Sequence, residues 1–354
     1  MAEQQNMIKT HLTIPSFDNV NVYPLIAAIL DLSACDKIDG KAKVLKPILS
    51  NLYMKKLLIL AIAVLSFNFA EAQQYSLKFK NVKELQAFMQ WTPSRYPLIS
   101  CHRGGVLPGY PENAIETFAN SIKLHPSIIE CDAALTSDSA LVMMHDDRLD
   151  RTSNGTGPIG AKSLAELKEL RLKDNEGTLT SFQIPTLDEV LKWGKNKVIF
   201  TLDVKRGVPY KMMVEAVRRN KAEAYSIMIT YSATQAAEVY QLAPDLMISA
   251  SIRSVADLER LNQLGIPNNR IVAFVGTSAP DKVVYDYLHS KGIWCILGTM
   301  GNLDKSAKVN GEQVYKALIK GGADILSSDR GKESGSELLK LVKEEKLTTK
   351  HLFL

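Results

Sequence analysis

The sequence predicts an α/β protein built as a TIM (β/α)8 barrel. After residue 72, eight short runs rich in apolar and β-branched residues alternate with amphipathic helical patterns, which is typical of parallel βαβ units. Eight strands within about 230 residues also fit the size of such a barrel. A doubly wound open sheet is the alternative, but no glycine-rich phosphate loop follows the first strand in the Rossmann pattern. The predicted strands are Leu98–Cys101, Ile128–Asp132, Val198–Asp203, Ile227–Thr230, Met247–Ser251, Ile271–Val275, Trp294–Leu297 and Ile325–Ser328.

Helical patterns and one long insertion lie between these strands. The segment 146–185 is polar and rich in glycine at first, and then carries a helical pattern at Leu164–Leu172. It is long for a plain loop, which indicates a functional insertion. Further helical patterns occur at Thr186–Trp193, Tyr210–Asn220, Ala233–Leu242, Val255–Leu264, Ala279–Lys291 and Gly311–Lys320.

A hairpin interrupts the alternation after the second strand. Ile128–Leu135 and Ala140–His145 both have strand character, and only residues 136–139 separate them. A parallel crossover needs a dozen or more residues, so these two strands must be antiparallel. A two-residue turn at Asp138-Ser139 would place Asp132 opposite His145. The hairpin would therefore return His145 to the rim of the barrel.

The composition argues for a globular protein that acts on a small molecule. The chain has 354 residues, 46% of them hydrophobic and 23% charged, with a formal net charge of +5. Because no dense Lys/Arg run with interleaved aromatic residues occurs, we expect no nucleic-acid partner. A mild basic balance suits an anionic substrate. Nothing in the sequence indicates the oligomeric state.

The segment 54–72 has the pattern of a secretory signal peptide. Met54-Lys55-Lys56 is followed by the apolar run Leu57–Phe69 and by Ala70-Glu71-Ala72, which matches an A-x-A cleavage site. A membrane-spanning helix needs about 20 apolar residues, and this run is shorter. We therefore expect a mature protein of residues 73–354, exported to the periplasm or the extracellular space. No stable membrane anchor is expected after cleavage.

Residues 1–53 precede this signal and need an explanation. The interpretation we favour is a misassigned start, with Met54 as the true first residue. The alternative is a genuine extension, with Leu57–Phe69 acting as an uncleaved anchor. Cys35 would be absent from the mature chain. Cys101 and Cys131 each neighbour a candidate site residue on a strand, so alternation should turn them away from the site as buried free thiols. Cys295 is expected in the core.

Paired carboxylates at strand ends predict a metal site. Glu130 and Asp132 are two residues apart on a strand, so they share one face with Cα atoms about 6.6 Å apart. They lie at the C-terminal end of the strand, where barrel active sites form. Two adjacent like charges and oxygen-only ligands favour one hard divalent cation, Mg²⁺ or Ca²⁺. Asp203, at the end of the third strand, can complete the site, and Lys205 can offset phosphate charge.

Two histidines at the same rim predict acid–base catalysis. His102 ends the first strand, and the hairpin brings His145 to it. One can take a proton from the attacking group while the other gives a proton to the leaving alkoxide. Arg103 matches phosphate oxygens with its guanidinium fork. Glu112 can orient His102 or Arg103, or bind a substrate hydroxyl. His125 and His289 are expected to be structural.

These residues resemble the glycerophosphodiester phosphodiesterases. The matching motifs are H-R-G at 102, P-E-N at 111, I-E-x-D at 129, H-D-x-x-L-x-R-T-x-x-G-x-G at 145, I-P-T-L at 184 and D-x-K at 203, in that order along residues 97–330. The resemblance implies a TIM barrel, a divalent cation, and hydrolysis of a glycerophosphodiester to an alcohol and glycerol 3-phosphate. It also implies that His102 and His145 are the acid–base pair and that Glu130 and Asp132 bind the metal. Arg103, Glu112 and Lys205 would face the substrate.

The chain departs from the family pattern at two positions. The family usually has Glu at the position of Asp203, and it often has W-T-x-N where this chain has Gly298-Thr299-Met300-Gly301. Sphingomyelinase-D-like phospholipases, which act on lipids, have Asp at the first position but generally lack the H-R-G/P-E-N pairing. They are the enzymatic alternative. A non-catalytic exported binding protein is the alternative from another class, although it would be expected to lose one of the site residues.

Overall fold

A computed structural model describes residues 74–354. The predicted extension 1–53 and signal peptide 54–72 lie outside the described residues, as does Cys35. Within the described part of the chain, no helix is both long and apolar enough to cross a membrane.

The structure confirms the predicted barrel. Eight parallel strands pair in a ring, which closes where Ile325–Ser328 of the last strand lies in register with Leu98–Cys101 of the first. Two short strands and the hairpin strand lie outside this ring. In chain order the strands are β1 Ser76–Leu77, β2 Leu98–Cys101, β3 Ser127–Leu135, β4 Leu141–Met143, β5 Ile199–Val204, β6 Ser226–Thr230, β7 Met247–Ser251, β8 Ile271–Gly276, β9 Trp294–Gly298, β10 Ile325–Ser328 and β11 Leu352–Phe353.

The helices surround the barrel and begin at well-defined caps. Ser163 and Thr186 each form a capping box with a glutamate three residues on, and Asn81, Ser232 and Ser254 cap other helices with their side chains. The α-helices are α1 Val82–Phe88, α2 Ile115–Leu124, α3 Leu164–Lys168, α4 Leu187–Gly194, α5 Tyr210–Arg219, α6 Ala233–Leu242, α7 Val255–Gln263, α8 Lys282–Ser290, α9 Asn302–Asn310, α10 Gln313–Lys320 and α11 Gly331–Glu344.

Strand alternation divides each barrel strand between two cores. The residues that face outward pack against the helices, as Ile99, Ile129 and Phe200 do. At the N-terminal end of the barrel the inward residues form a separate apolar layer of Leu98, Ile128, Ile199, Ile227, Met247, Val272, Trp294, Ile296 and Ile325, together with residues of α1 and the paired strands β1 and β11. This end of the interior is therefore filled, and the other end is left open for a site.

The hairpin exists, but its predicted register is wrong by one residue. Ala133 pairs with Met143, so Asp132 lies opposite Met144 rather than His145, and the Met144 N–H donates to the Asp132 carbonyl at 2.9 Å. The cause is a three-residue turn in place of the two-residue turn expected. Ser139 has φ of 63°, and the hydroxyl of Thr136 donates to the Asp138 carboxylate at 2.6 Å. A left-handed third residue is usual in turns of this length.

The insertion packs on the hairpin through its own small core. Leu149, Ile159, Leu167 and Leu172 of the insertion are buried with Val142 of the hairpin. The helix α3 is shorter than the predicted Leu164–Leu172, because Leu172 forms a β-bridge with Ser153 and its N–H donates to the Phe182 carbonyl. The segment after His145 is thus ordered by packing against the barrel rim.

Candidate active site

A cavity of about 180 Å³ opens at the C-terminal ends of the barrel strands. Six of the eight residues predicted for the site line it, namely His102, Glu130, Asp132, His145, Asp203 and Lys205. The remaining lining consists of hydroxyl side chains and apolar groups, among them Tyr231, Phe274 and Met300. The cavity therefore brings together groups that are as far apart in the sequence as Ser100 and Ser327.

The three carboxylates form one buried cluster. Glu130, Asp132 and Asp203 are 7%, 1% and 4% exposed, and one oxygen atom from each lies within 4.8 Å of the others. Strand register brings them together, since Asp132 of β3 lies directly beside Asp203 of β5. Burial, and next the charge of Asp132, raises the pKa of Glu130 to about 8. Such a rise is expected where a buried carboxylate lies beside another like charge without a compensating cation.

Lys205 bridges two of these carboxylates. Its Nζ lies 2.7 Å from Asp132 Oδ1 and 2.6 Å from Asp203 Oδ2. Burial works to raise the pKa of Asp132, but the charge of Lys205 and hydrogen bonds from Lys205 and Asn113 hold it below its ordinary value. The single positive charge of Lys205 cannot balance the negative charges of three buried carboxylates. Their oxygen-only ligand set fits a hard divalent cation, which would supply the missing positive charge.

His102 is held on its outer side by Asp329. Its Nδ1 lies 2.6 Å from Asp329 Oδ1. Burial alone would lower the pKa of His102, but the hydrogen bond to Asp329 and the charge of Glu130 raise it overall. Asp329 is placed in turn by the buried Asp304, which accepts the Asp329 N–H at 2.9 Å and the Ser328 hydroxyl at 2.9 Å. We did not predict Asp329 from the sequence, although its position just past the last barrel strand was a signal.

The turn after His102 has an unusual backbone. Arg103 has φ of 50°, and its N–H donates to Glu130 Oε2 at 2.7 Å. Gly104 follows with φ of 94°, and a Cβ there would lie 2.3 Å from the Phe118 ring, so this position requires glycine. The H-R-G motif therefore turns the chain sharply at the strand end and ties that turn to Glu130 of the carboxylate cluster.

His145 is held by an aspartate and an arginine of the insertion. Its Nδ1 lies 2.8 Å from Asp146 Oδ1. Arg151 pairs with both carboxylate oxygens of Asp146, at 2.7 and 2.9 Å, and with both oxygens of Glu112, at 2.8 Å each. The hydrogen bond from Arg151, together with that from His145, holds the pKa of Asp146 far below its ordinary value despite some burial. Neither Asp146 nor Arg151 was among the predicted site residues, although both belong to the motif that begins at His145.

Arg103 and Glu112 form an ion pair and are not part of the cavity lining. Glu112 is 2% exposed and accepts hydrogen bonds from Arg103 at 3.1 and 3.3 Å as well as from Arg151. Glu112 thus orients Arg103, which is one of the roles expected of it. Neither residue lines the cavity in this structure, and their contacts with substrate stay predictions. Asn113, also unpredicted, fixes Asp132 by donating to its carboxylate at 2.8 Å and accepting its backbone N–H at 2.9 Å.

The space beside Gly298, where the chain departs from the family pattern, is occupied by neighbouring side chains. A Cβ at Gly298 would lie 2.8 Å from Met300 Sδ, 3.1 Å from Thr277 Cγ2 and 3.2 Å from Phe274 Cζ. Met300 and Phe274 line the cavity. These two side chains therefore form the wall beside Gly298, where the family pattern often has tryptophan.

The residues expected to be structural lie away from the cavity. Cys101, Cys131 and Cys295 are buried free thiols, as predicted. His125 is buried, and burial lowers its pKa. His289 pairs with the fully buried Asp324 at 2.9 Å and stacks on Trp91, so its role is structural.

Comparison with known proteins gives a consistent picture. The model of the glycerophosphoryl diester phosphodiesterase family matches residues 102–295, which is more than half of the chain. A crystal structure of a glycerophosphoryl diester phosphodiesterase from Parabacteroides distasonis is 37% identical, with a TM-score of 0.73, and covers 76% of this chain and 95% of that one. A phosphodiesterase from Oleispira antarctica, solved with the product sn-glycerol-3-phosphate, is 21% identical, covers 69% of this chain and 97% of that one at a TM-score of 0.55, and shows likeness of fold alone.

A Bacillus subtilis relative is 39% identical over 119 residues, which are 33% of this chain and 48% of that protein. The chain thus spans about half the length of that curated relative. The family match nevertheless begins at His102 and includes all the predicted site residues. The chain belongs to the glycerophosphoryl diester phosphodiesterase family.

Proposed function

We propose that this protein is a metal-dependent hydrolase that cleaves glycerophosphodiesters to an alcohol and sn-glycerol 3-phosphate. The observation that carries the proposal is the convergence of two histidine–aspartate pairs and a three-carboxylate cluster on one cavity. Membership of the family supports it. The Oleispira antarctica phosphodiesterase, which has the same fold, was solved with sn-glycerol-3-phosphate as its product.

Glu130, Asp132 and Asp203 would hold one divalent cation, Mg²⁺ or Ca²⁺. When bound, the cation would neutralise charge on the phosphate group. Lys205 already contacts Asp132 and Asp203, so it is placed to share in neutralising that charge. Electrostatic stabilisation of this kind is the usual main contribution to phosphoryl transfer. Arg103, whose guanidinium is held by Glu112, would contact the phosphate.

His102 and His145 would exchange the protons of the reaction. An aspartate occupies the Nδ1 side of each ring, which leaves Nε2 of each for the substrate. One histidine would take a proton from the attacking group, either water or the neighbouring hydroxyl of the substrate. Attack by the hydroxyl would give a cyclic phosphate, which water would then open to sn-glycerol 3-phosphate. The other would give a proton to the leaving alkoxide. The geometry allows either histidine to fill either role.

A direct assay tests the activity and its metal dependence. The purified protein is incubated with glycerophosphocholine, and sn-glycerol 3-phosphate is measured with a coupled dehydrogenase. We expect release that a chelator abolishes and that added Mg²⁺ or Ca²⁺ restores, with one ion preferred. Sphingomyelin and a lysophospholipid serve as comparison substrates. Cleavage of these lipids without cleavage of the glycerophosphodiester would contradict the proposal.

We also propose that the mature protein is exported. The pattern of residues 54–72 supports this proposal, with cleavage after Ala72. N-terminal sequencing of the protein secreted by its native host checks it. A first residue at or near Gln73 is expected, whereas retention of residues 1–53 would overturn both the export signal and the reassigned start.

A further inference from the structure

A second cavity adjoins the catalytic one and is basic. It has a volume of about 260 Å³ and shares Tyr231 and Ser251 with the lining of the catalytic cavity. Arg253 and Arg260 line it, together with Asp257. We call this second cavity the arginine groove. It lies between the start of α6 and the start of α7, on the side of the barrel that carries β6 and β7.

Both arginines of the groove lack an acidic partner. Within residues 74–354, neither guanidinium lies within 4.0 Å of a carboxylate. The groove does contain one carboxylate, but Asp257 is used by the chain itself. Its Oδ2 accepts the Arg253 N–H at 3.0 Å and the Ser254 hydroxyl at 2.9 Å, as part of the cap of α7. Two cations therefore face the groove with their hydrogen-bonding groups available to a ligand.

Arg253 turns towards the barrel rather than away from it. Its Nε lies 3.7 Å from the place that a Cβ would take at Gly276, the last residue of β8. Gly276, which has φ of 112°, is thus in contact range of this side chain at the rim. Ser232 and Ala233, at the start of α6, also line the groove, which lies at the positive end of that helix dipole. Guanidinium groups and a helix start together favour an anion.

We propose that the arginine groove binds an acidic group on the leaving alcohol of the substrate, so that the enzyme prefers glycerophosphodiesters with an anionic head group. The inference rests on the proposed function, because the catalytic cavity would hold the phosphodiester. Tyr231 and Ser251 form the shared wall across which the head group passes into the groove. A carboxylate or a second phosphate on the head group has the chemistry that paired arginines recognise.

The test compares two substrates that differ by one carboxylate, glycerophosphoserine and glycerophosphoethanolamine. We expect kcat/KM to be higher for glycerophosphoserine, and we expect Arg253→Ala and Arg260→Ala each to lower this preference roughly 2- to 5-fold. Arg253→Lys should retain part of it. Asp257→Asn, which keeps a capping side chain but removes the only acidic charge of the groove, should increase the preference. Lys211→Ala, on an exposed cation of α5, is the matched control and should leave it unchanged.

In parallel, calorimetry measures the affinity of the protein and its variants for the two diesters, with and without the divalent ion. One outcome separates the two proposals. The unmodified protein hydrolyses neither diester, but it binds glycerophosphoserine more tightly than glycerophosphoethanolamine, and the arginine variants lose this difference. The proposed function would then be wrong, and the head-group proposal for the arginine groove would be supported. If both diesters are cleaved with equal kcat/KM and the arginine variants change neither, the groove proposal is overturned while the proposed function stands. An equal loss of kcat/KM for both substrates in the arginine variants would also overturn the groove proposal, because the arginines would then act on a group that both substrates share.

Discussion

Each histidine of the candidate site owes its orientation to a single aspartate. His102 lies 2.6 Å from Asp329, and His145 lies 2.8 Å from Asp146. An aspartate on Nδ1 fixes the orientation and the tautomer of the ring. The two aspartates are themselves held, one by Asp304 and the other by Arg151. The chemistry proposed for the histidines therefore depends on residues that do not line the cavity.

Replacing Asp329 with Asn should change both the rate and its pH dependence. The substitution removes the negative charge that raises the pKa of His102 and leaves at most a neutral hydrogen-bond acceptor, so that pKa should fall. The limb of the kcat/KM profile that belongs to His102 should therefore move to lower pH. We expect a loss of kcat of roughly 10²- to 10⁴-fold. Asp150→Asn, an exposed aspartate paired with Arg148, is the control. An unmoved profile would show that Asp329 does not act through His102.

The sequence indicated the histidines but not these partners, for a physical reason. His102 and Asp329 are 227 residues apart, and they meet only because β10 closes the barrel on β2. Periodicity identifies strands and the face on which a residue lies, but it does not specify the distance between side chains on strands that close a ring. Asp146 was closer to being predictable, since it follows His145 directly.

The hairpin and the insertion form the element that is specific to this site. The register was predicted one residue out because turn length cannot be read from strand pattern alone, and here Thr136 and Asp138 stabilise a three-residue turn. His145 still lines the cavity, because it lies beyond the last residue of β4 and the strand register does not determine which way it faces. The insertion then returns Arg151 to hold Asp146 and Glu112 together.

Replacing Arg151 with Ala should cost both stability and activity. Glu112, which is 2% exposed, would keep only Arg103 as a partner, and Asp146 would lose both of its bonds to the guanidinium. Because Arg151 itself is 46% exposed, we expect a loss of about 1–3 kcal/mol in the free energy of unfolding. Denaturant unfolding and kcat/KM measure the two effects.

Arg148→Ala provides the matched control for Arg151, since it lies in the same insertion and pairs only with the exposed Asp150. Arg151→Lys should recover part of the stability but little of the activity, because lysine cannot form both bidentate pairs. Equal effects of Arg148→Ala and Arg151→Ala would refute a specific role for Arg151.

Strand alternation also predicts the reactivity of the cysteines. Cys101 and Cys131 face away from the cavity into the helix-packed core, and Cys295 does so on β9. Burial raises the pKa of Cys101 to about 11 and those of the other two further above their ordinary value. Because the thiolate is the reactive form, Ellman's reagent should label none of the three in folded 73–354 protein at pH 8. It should label all three after unfolding in denaturant. Rapid labelling of the folded protein would contradict the assigned faces.

At the scale of the whole described molecule, the two ends of the barrel differ in the side chains that point inward. Inward residues at the N-terminal end are apolar and pack together, whereas the cavity at the C-terminal end is lined by acidic, basic and hydroxyl side chains as well as apolar ones. The sequence predicted this fold because each strand carries its own alternation and each helix its own amphipathic pattern, and both are local signals. It could not predict how β1, β11 and α1 complete the opposite end, since that packing joins the two ends of the described chain.

The central claim is that His102 and His145 exchange protons beside a cation held by Glu130, Asp132 and Asp203. The most direct measurement compares kcat for glycerophosphocholine in His102→Ala and His145→Ala with divalent-ion affinity in the same proteins, using Lys211→Ala, at an exposed position of α5, as a control. The account predicts that kcat falls by roughly 10²- to 10⁴-fold in each of the first two variants while ion affinity is retained. Near-normal kcat in both variants would contradict it.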